Sequence, residues 1–257
     1  SFFKSRKAND WTGRFIAAFT IIPYDFWKRN HATHHATSGN LSKRGTGDVG
    51  MITVKEYLAR DEKGRRNYRI YRHPAFLLLV LSNLYFMVKL RSPWGQPEAW
   101  RKAFPSIIST NLMMAAWMIP LAMTVGWGRF LLVFLPMQLL ANTLGLWLFY
   151  IQHQYEGAFW EWDENWDFHE ASLRGSSHYD LPVLLRWFTG NIGAHHVHHL
   201  ASRIPFYRLR EVMSDHHALT QCQRLTLRES LRSTRLHLWD ESAQRLVSFA
   251  EARATAT

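Results

Sequence analysis

Residues 103–128 read AFPSIISTNLMMAAWMIPLAMTVGWG, and after Arg129 residues 130–152 read FLLVFLPMQLLANTLGLWLFYIQ; neither stretch holds a charged side chain. Each is longer than the ~20 residues with which a helix crosses ~30 Å of hydrocarbon. Gly126-Trp127-Gly128-Arg129 supplies the tight connection between them. The pair predicts a transmembrane helical hairpin, because a soluble core rarely holds two such uncharged runs side by side. Asn111, Pro120, Pro136 and Asn142 fall inside the spans and are tolerable there if they face protein and not lipid.

Outward from the hairpin the chain is less apolar. Pro74–Val88 is an uncharged run of only 15 residues. As a helix it reaches ~22 Å, short of the hydrocarbon thickness, which predicts a half-embedded or interfacial element. Phe15–Tyr24 is shorter and reads the same way. Residues 40–72 are basic, residues 156–170 are acidic and rich in tryptophan, and from Ser214 onward the chain is charged and reads as a helical, solvated tail. The expected domains are residues 1–213 and a C-terminal tail, 214–257. The net charge of +11 over 257 residues comes without a nucleic-acid-binding motif, so it reads as the Lys/Arg excess of membrane-flanking loops. The abundant tryptophan, tyrosine and phenylalanine suit membrane interfaces. The single cysteine, Cys222, excludes an internal disulfide.

Fourteen histidines are present, and seven of them fall in two five-residue windows, His31-Ala32-Thr33-His34-His35 and His195-His196-Val197-His198-His199. Both windows contain H-x-x-H-H, which on a helix turns three imidazoles to one face. Neutral imidazole ligates Fe, Zn, Cu or Ni. Six such ligands exceed what one tetrahedral zinc uses, so two metals fit better, and the absence of carboxylates and thiolates argues against Mg, Ca and iron–sulfur clusters. Sequence does not separate iron from zinc or copper. A hairpin that crosses twice leaves both boxes on one side of the membrane, and the basic residues 40–72 mark that side as cytoplasmic. His153, at the end of the second span, emerges there too, as an interfacial residue or a ligand. Asn191, four residues before His195, serves the site directly, through water or by orienting a ligand, or else caps a helix. His196 points off the metal face and suits an orienting or structural role. The acidic tryptophan-rich segment shapes the site entrance, docks a redox partner, or is a solvated loop.

The motifs His31-x-x-His34-His35 before Ser38-Gly39-Asn40, Gln152-His153, and Asn191-Ile192-Gly193-x-His195-His196-x-His198-His199-Leu200 resemble membrane fatty acid desaturases. Gly47-Asp48-Val49 before Thr53-Val54-x-Glu56-Tyr57, and Arg203-Ile204-Pro205-x-Tyr207, add to the likeness. It covers most of residues 1–213 and is greatest to bacterial delta-12 (omega-6) acyl-lipid desaturases. The resemblance implies an all-α integral membrane protein of the bacterial inner membrane, with a cytoplasmic helical cap over a di-iron centre. His31, His34, His35, His195, His198 and His199 are then ligands, and His153 an additional one. The family's first box, H-x(3-4)-H, is missing, and Ser1-Phe2-Phe3-Lys4 resembles the residues that follow it, so the sequence is expected to be N-terminally truncated.

The activity so implied is O2-dependent insertion of a cis double bond into a fatty acyl chain carried on lipid, CoA or carrier protein. An unactivated C–H bond needs an activated oxygen on a metal. No G-x-G-x-x-G fingerprint is present, so electrons come from outside, from a ferredoxin or cytochrome b5 type donor by family expectation. The rival enzyme is a hydroxylase or ketolase of alkanes, sterols or carotenoids with the same boxes. A metal transporter would carry ionisable residues within its spans, and these spans hold none.

Overall fold

The computed structural model describes residues 2–45 and 47–254. In chain order the helices used below are α1 (Arg6–Thr20), α2 (Tyr24–Thr37), α3 (Val54–Leu58), α4 (Glu62–Arg72), α5 (Ser82–Met87), α6 (Pro97–Val125), α7 (Trp127–Ile151), α8 (Phe168–Arg174), α9 (Val183–Phe188) and α10 (His195–Leu200). Four three-residue strands accompany them: β1 (His178–Asp180), β2 (Arg224–Thr226), β3 (Leu238–Asp240) and β4 (Arg245–Val247). The described residues divide into two compact units, one of residues 3–32 and 73–147, the other of residues 2, 33–45, 47–72 and 148–254.

The first unit is built on the hairpin. Helices α6 and α7, of 29 and 25 residues, are long and apolar enough to cross a membrane. Their outer faces leave Leu112, Met123, Leu132 and Val133 two-thirds or more exposed, as lipid-facing side chains are. The polar residues turn inward. Gln138 Nε2 donates to Asn142 Oδ1 at 2.8 Å, and Asn142 Nδ2 donates to Asn83 Oδ1 at 3.0 Å, all three buried. The asparagine predicted to need a protein partner has one. Asn111 accepts from Arg91 Nε at 3.0 Å, and Arg91 Nη2 donates to the Ile21 carbonyl at 2.6 Å, just past the end of α1. The short apolar run 74–88 opens with a π-helical turn, Phe76–Leu81, before α5. The Leu78 carbonyl accepts there from Thr143 Oγ1 (3.0 Å) and from Ser82 Oγ; side chains that reach back to carbonyls in this way relax the α-helical ladder.

The second unit holds the histidines. Strand β1 pairs parallel to β2, and β3 antiparallel to β4 with Leu238 opposite Val247. The expected helical, solvated tail therefore differs from the fold. Leu238, Trp239, Leu246 and Val247 are buried, and Leu238 and Val247 share a core with Ile52, Tyr57, Tyr68 and Ala252. Charged neighbours mask this small apolar set, which needs a sheet to bring it to one side.

Candidate metal centre

Two local devices aim the histidines. The last turn of α2 carries His34 and His35. Helix α10 follows a tight turn in which Gly190 (φ 60°) and Asn191 (φ 55°) are left-handed, a region that glycine and asparagine enter at little cost. Gly193 then lies flat against β1: Tyr179 N–H donates to its carbonyl at 2.8 Å, and a Cβ there would sit 2.2 Å from the Tyr179 carbonyl oxygen. This contact fixes where α10 starts, and the core of Ala194, Val197, Leu209, Met213 and Leu219 backs it. His153 stands in the turn just past α7.

His34, His153, His195 and His199 converge, with their ligating nitrogens within 4.8 Å of one another. His34 Nε2 is 3.2 Å from both His153 Nε2 and His199 Nε2, and His195 Nε2 is 3.0 Å from His153 Nε2. His35 Nε2 and His198 Nε2 meet separately at 3.1 Å. The triplets thus interlock: His34 serves one cluster and His35 the other, and on α10 His195 and His199 divide from His198 in the same way. His31 stands one turn ahead of His35 on α2, its ring stacked on Trp27 at 4.8 Å.

The hydrogen bonds on the far side of the rings decide what these nitrogens offer. His153 Nδ1 donates to the Gly175 carbonyl at 2.7 Å, and His34 Nδ1 donates to the buried carboxylate of Asp48. With the proton on Nδ1, each ring presents a bare Nε2 lone pair. Two lone pairs 3.2 Å apart repel unless a cation lies between them. Ligands ~2.1 Å from one ion are ~3.0 Å apart at octahedral and ~3.4 Å apart at tetrahedral angles, and the observed spacings fall in that range. Burial also keeps the rings neutral. It holds His153, His195 and His199 well below the ordinary histidine value, His198 down to about 4, and His35, with His198 and His34 beside it, down to about 3. A buried, all-imidazole donor set of this kind suits iron, zinc or copper and fits a metal centre.

The other candidates sort by contact. His196 is fully buried and donates from Nε2 to the Leu219 carbonyl at 2.9 Å, a structural tie. Asn191 makes the left-handed turn, its carbonyl accepting from Ala194 N–H at 3.1 Å, while Ala194 holds the cap position of α10. His169 is exposed beside Asp167, and His178 lies in β1. His237 stacks on Phe249 at 4.3 Å and is half-buried. The tryptophan-rich segment is partly built in: Trp166 Nε1 donates to the Ser38 carbonyl at 2.9 Å, and Trp160 is buried and lines, with Asp48, Tyr150 and His153, a small pocket beside the cluster. Sequence reading missed Asp48 as a partner of His34, 14 residues away; Gly47-Asp48-Val49 entered only as part of a resemblance.

The sequence is similar to known proteins. The profile of the family described as Fatty acid desaturase matches residues 1–230. A protein of Bacillus subtilis named fatty acid desaturase is 42% identical over 249 residues, 97% of this chain and 70% of that protein. Two Synechocystis proteins are more distant: an sn-1 acyl-lipid omega-3 desaturase (ferredoxin), 29% identical, and an sn-1 oleoyl-lipid 12-desaturase, 27% identical. Each matches 82% of this chain, which spans 58% and 59% of their lengths. A profile match over most of the chain, on a fold with two apolar spans and interlocked histidine clusters, leads to one assignment: the chain belongs to the fatty acid desaturase family, a family of membrane-bound oxidoreductases.

Proposed function

We propose that this chain carries out O2-dependent desaturation of a fatty acyl chain at a di-iron centre, with His34, His153, His195 and His199 on one iron and His35 and His198 on the other; His31 is the ligand that the H-x-x-H-H motif adds. The overall change is R–CH2–CH2–R′ + O2 + 2 e− + 2 H+ → R–CH=CH–R′ + 2 H2O. The observation that carries the reading is the pair of bare Nε2 lone pairs on His34 and His153, 3.2 Å apart in a buried site. Iron held by these imidazoles would supply the O2 chemistry that an unreactive C–H bond requires. The protein's part is positional. Asp48 and the Gly175 carbonyl hold two rings by their Nδ1 protons, and Gly193 sets the start of α10. Burial keeps His35, His153, His195, His198 and His199 neutral and excludes bulk water.

The site faces the cytoplasm of a bacterial inner membrane, on the side marked by the basic residues 40–72. Electrons arrive from a ferredoxin or cytochrome b5 type carrier, which an acidic surface would bring to that basic side; the name of the Synechocystis omega-3 relative includes ferredoxin. A delta-12 position is the regiochemistry favoured here, on the sequence likeness and on relatives named 12-desaturases.

The test is expression of the complete open reading frame that encodes these residues in a host without polyunsaturated lipids. Total fatty acids are then analysed by gas chromatography–mass spectrometry beside a His198→Ala control. A new double bond that the control lacks supports desaturation, and its position gives the regiochemistry. A hydroxylated or oxidised lipid in its place would move the reading to the rival chemistry.

A further inference from the structure

The strongest unexplained group is Arg72, at the end of α4. Its side chain is wholly buried, yet among the described residues no carboxylate pairs with it. Burying a guanidinium without an anion is costly, and an aliphatic side chain would fill the space without that cost. What the guanidinium does instead is join four segments. Nη1 donates to the Gly50 carbonyl at 3.3 Å, and Nη2 reaches Gln154 Oε1 at 2.9 Å, Tyr150 Oη at 3.4 Å and the Leu236 carbonyl at 3.5 Å. The cation also lies over the Tyr150 ring, 5.5 Å from its centroid.

The sequence positions of these acceptors give the contacts their meaning. Gly50 is two residues after Asp48, the partner of His34. Gln154 directly follows His153. Leu236 lies beyond residues 1–230, where the family profile ends. Gln154 Nε2 donates to the same Leu236 carbonyl at 2.6 Å, so guanidinium, carboxamide and carbonyl form one closed knot. The strands that follow clip onto the same two segments: Trp239 N–H donates to the Ile52 carbonyl at 3.1 Å, and Leu246 N–H to the Glu156 carbonyl at 2.9 Å.

We propose that Arg72 is a positioning residue of the metal centre, fixing the Asp48 loop against the His153 turn and tying both to the Leu236 carbonyl. The claim rests on the reading that the histidines hold iron. A rigid fork with several donors serves four acceptors at once; a lysine ammonium reaches fewer of them from a flexible stem.

The experiment uses the complete protein in detergent, loaded with ferrous iron, as wild type, Arg72→Met, Arg72→Lys and Val247→Ala. The last variant weakens the same C-terminal core but leaves every acceptor of Arg72 in place. Iron affinity is read by chelator competition, and the iron environment by Mössbauer spectroscopy. Arg72→Met is expected to bind one of its irons about 10- to 100-fold more weakly, the cost of losing a group that orients ligands, with an altered quadrupole splitting. Arg72→Lys is expected to recover part of the loss, and Val247→Ala to keep the wild-type affinity and spectrum at a lower melting temperature. Wild-type affinity and spectrum in Arg72→Met would overturn the assignment, and so would an equal loss in Val247→Ala, which marks a merely structural role. If Arg72→Met does not fold, Gln154→Met, which cuts the link to the His153 turn alone, is read against the same criteria. Wild-type protein that binds no iron would instead remove the di-iron reading, and this assignment with it.

Discussion

Replacing Asp48 with asparagine tests the site with the smallest change. The carboxylate and the His34 ring have side chains only 7% and 1% exposed, so water cannot take over the contact. Asparagine still offers an oxygen to the Nδ1 proton, but it removes the negative charge that makes His34 a stronger donor at Nε2. Loss of such a partner costs about 10- to 100-fold in metal affinity, or ~1.4–2.8 kcal/mol. Asp48→Ala goes further, because it leaves the Nδ1 proton buried without an acceptor, a cost of ~1–3 kcal/mol. The expected order of iron affinity is therefore wild type, then Asp48→Asn, then Asp48→Ala, by chelator competition on protein whose helicity is unchanged. Equal affinity in all three would refute the claim that Asp48 orients His34 toward a metal.

His198→Ala removes the partner of His35 and leaves the four-histidine cluster intact, so iron is expected to fall from about two to about one per chain while desaturation is lost; elemental analysis checks it, and full retention would contradict it. Acid should destabilise the metal-free protein. His35 and His198 stay neutral in the fold down to about 3 and about 4, whereas the unfolded chain protonates them near ~6.5. Between those values the unfolded state binds more protons, so stability falls as pH drops through the window, and a melting temperature that rises on acidification would disprove the point. Gly193→Ala forces a Cβ against the Tyr179 carbonyl, where it would be 2.2 Å away, and should cost about 1–3 kcal/mol. A thermal melt beside Gly145→Ala, where nothing lies within 4 Å, separates crowding at β1 from a general effect of losing a glycine.

The parts of this molecule that sequence disclosed are those written in local pattern. The hairpin is legible because lipid tolerates no charge over some twenty residues, and each of its spans is continuous. The histidine triplets are legible because helical spacing turns them to one side. What pattern does not carry is the partition of each triplet. His34 and His35 are adjacent in sequence and point to different clusters, which depends on how α2 meets α10. Asp48 was hidden because its contact with His34 spans 14 residues of loop and obeys no period. The strands β3 and β4 were hidden for a different reason. At three residues each they are too short to show alternation, and Asp240 and Arg245 within them, with Glu241 between, read as solvent-facing charge. Arg72 was counted among the basic residues 40–72 for the same reason, although it is the buried one.

Metal analysis of the purified, complete protein tests the central claim most directly. The account predicts about two iron atoms per chain, all histidine-ligated by X-ray absorption, with no sulfur scatterer. A single zinc per chain, or no metal in protein that has inserted and folded, would contradict it.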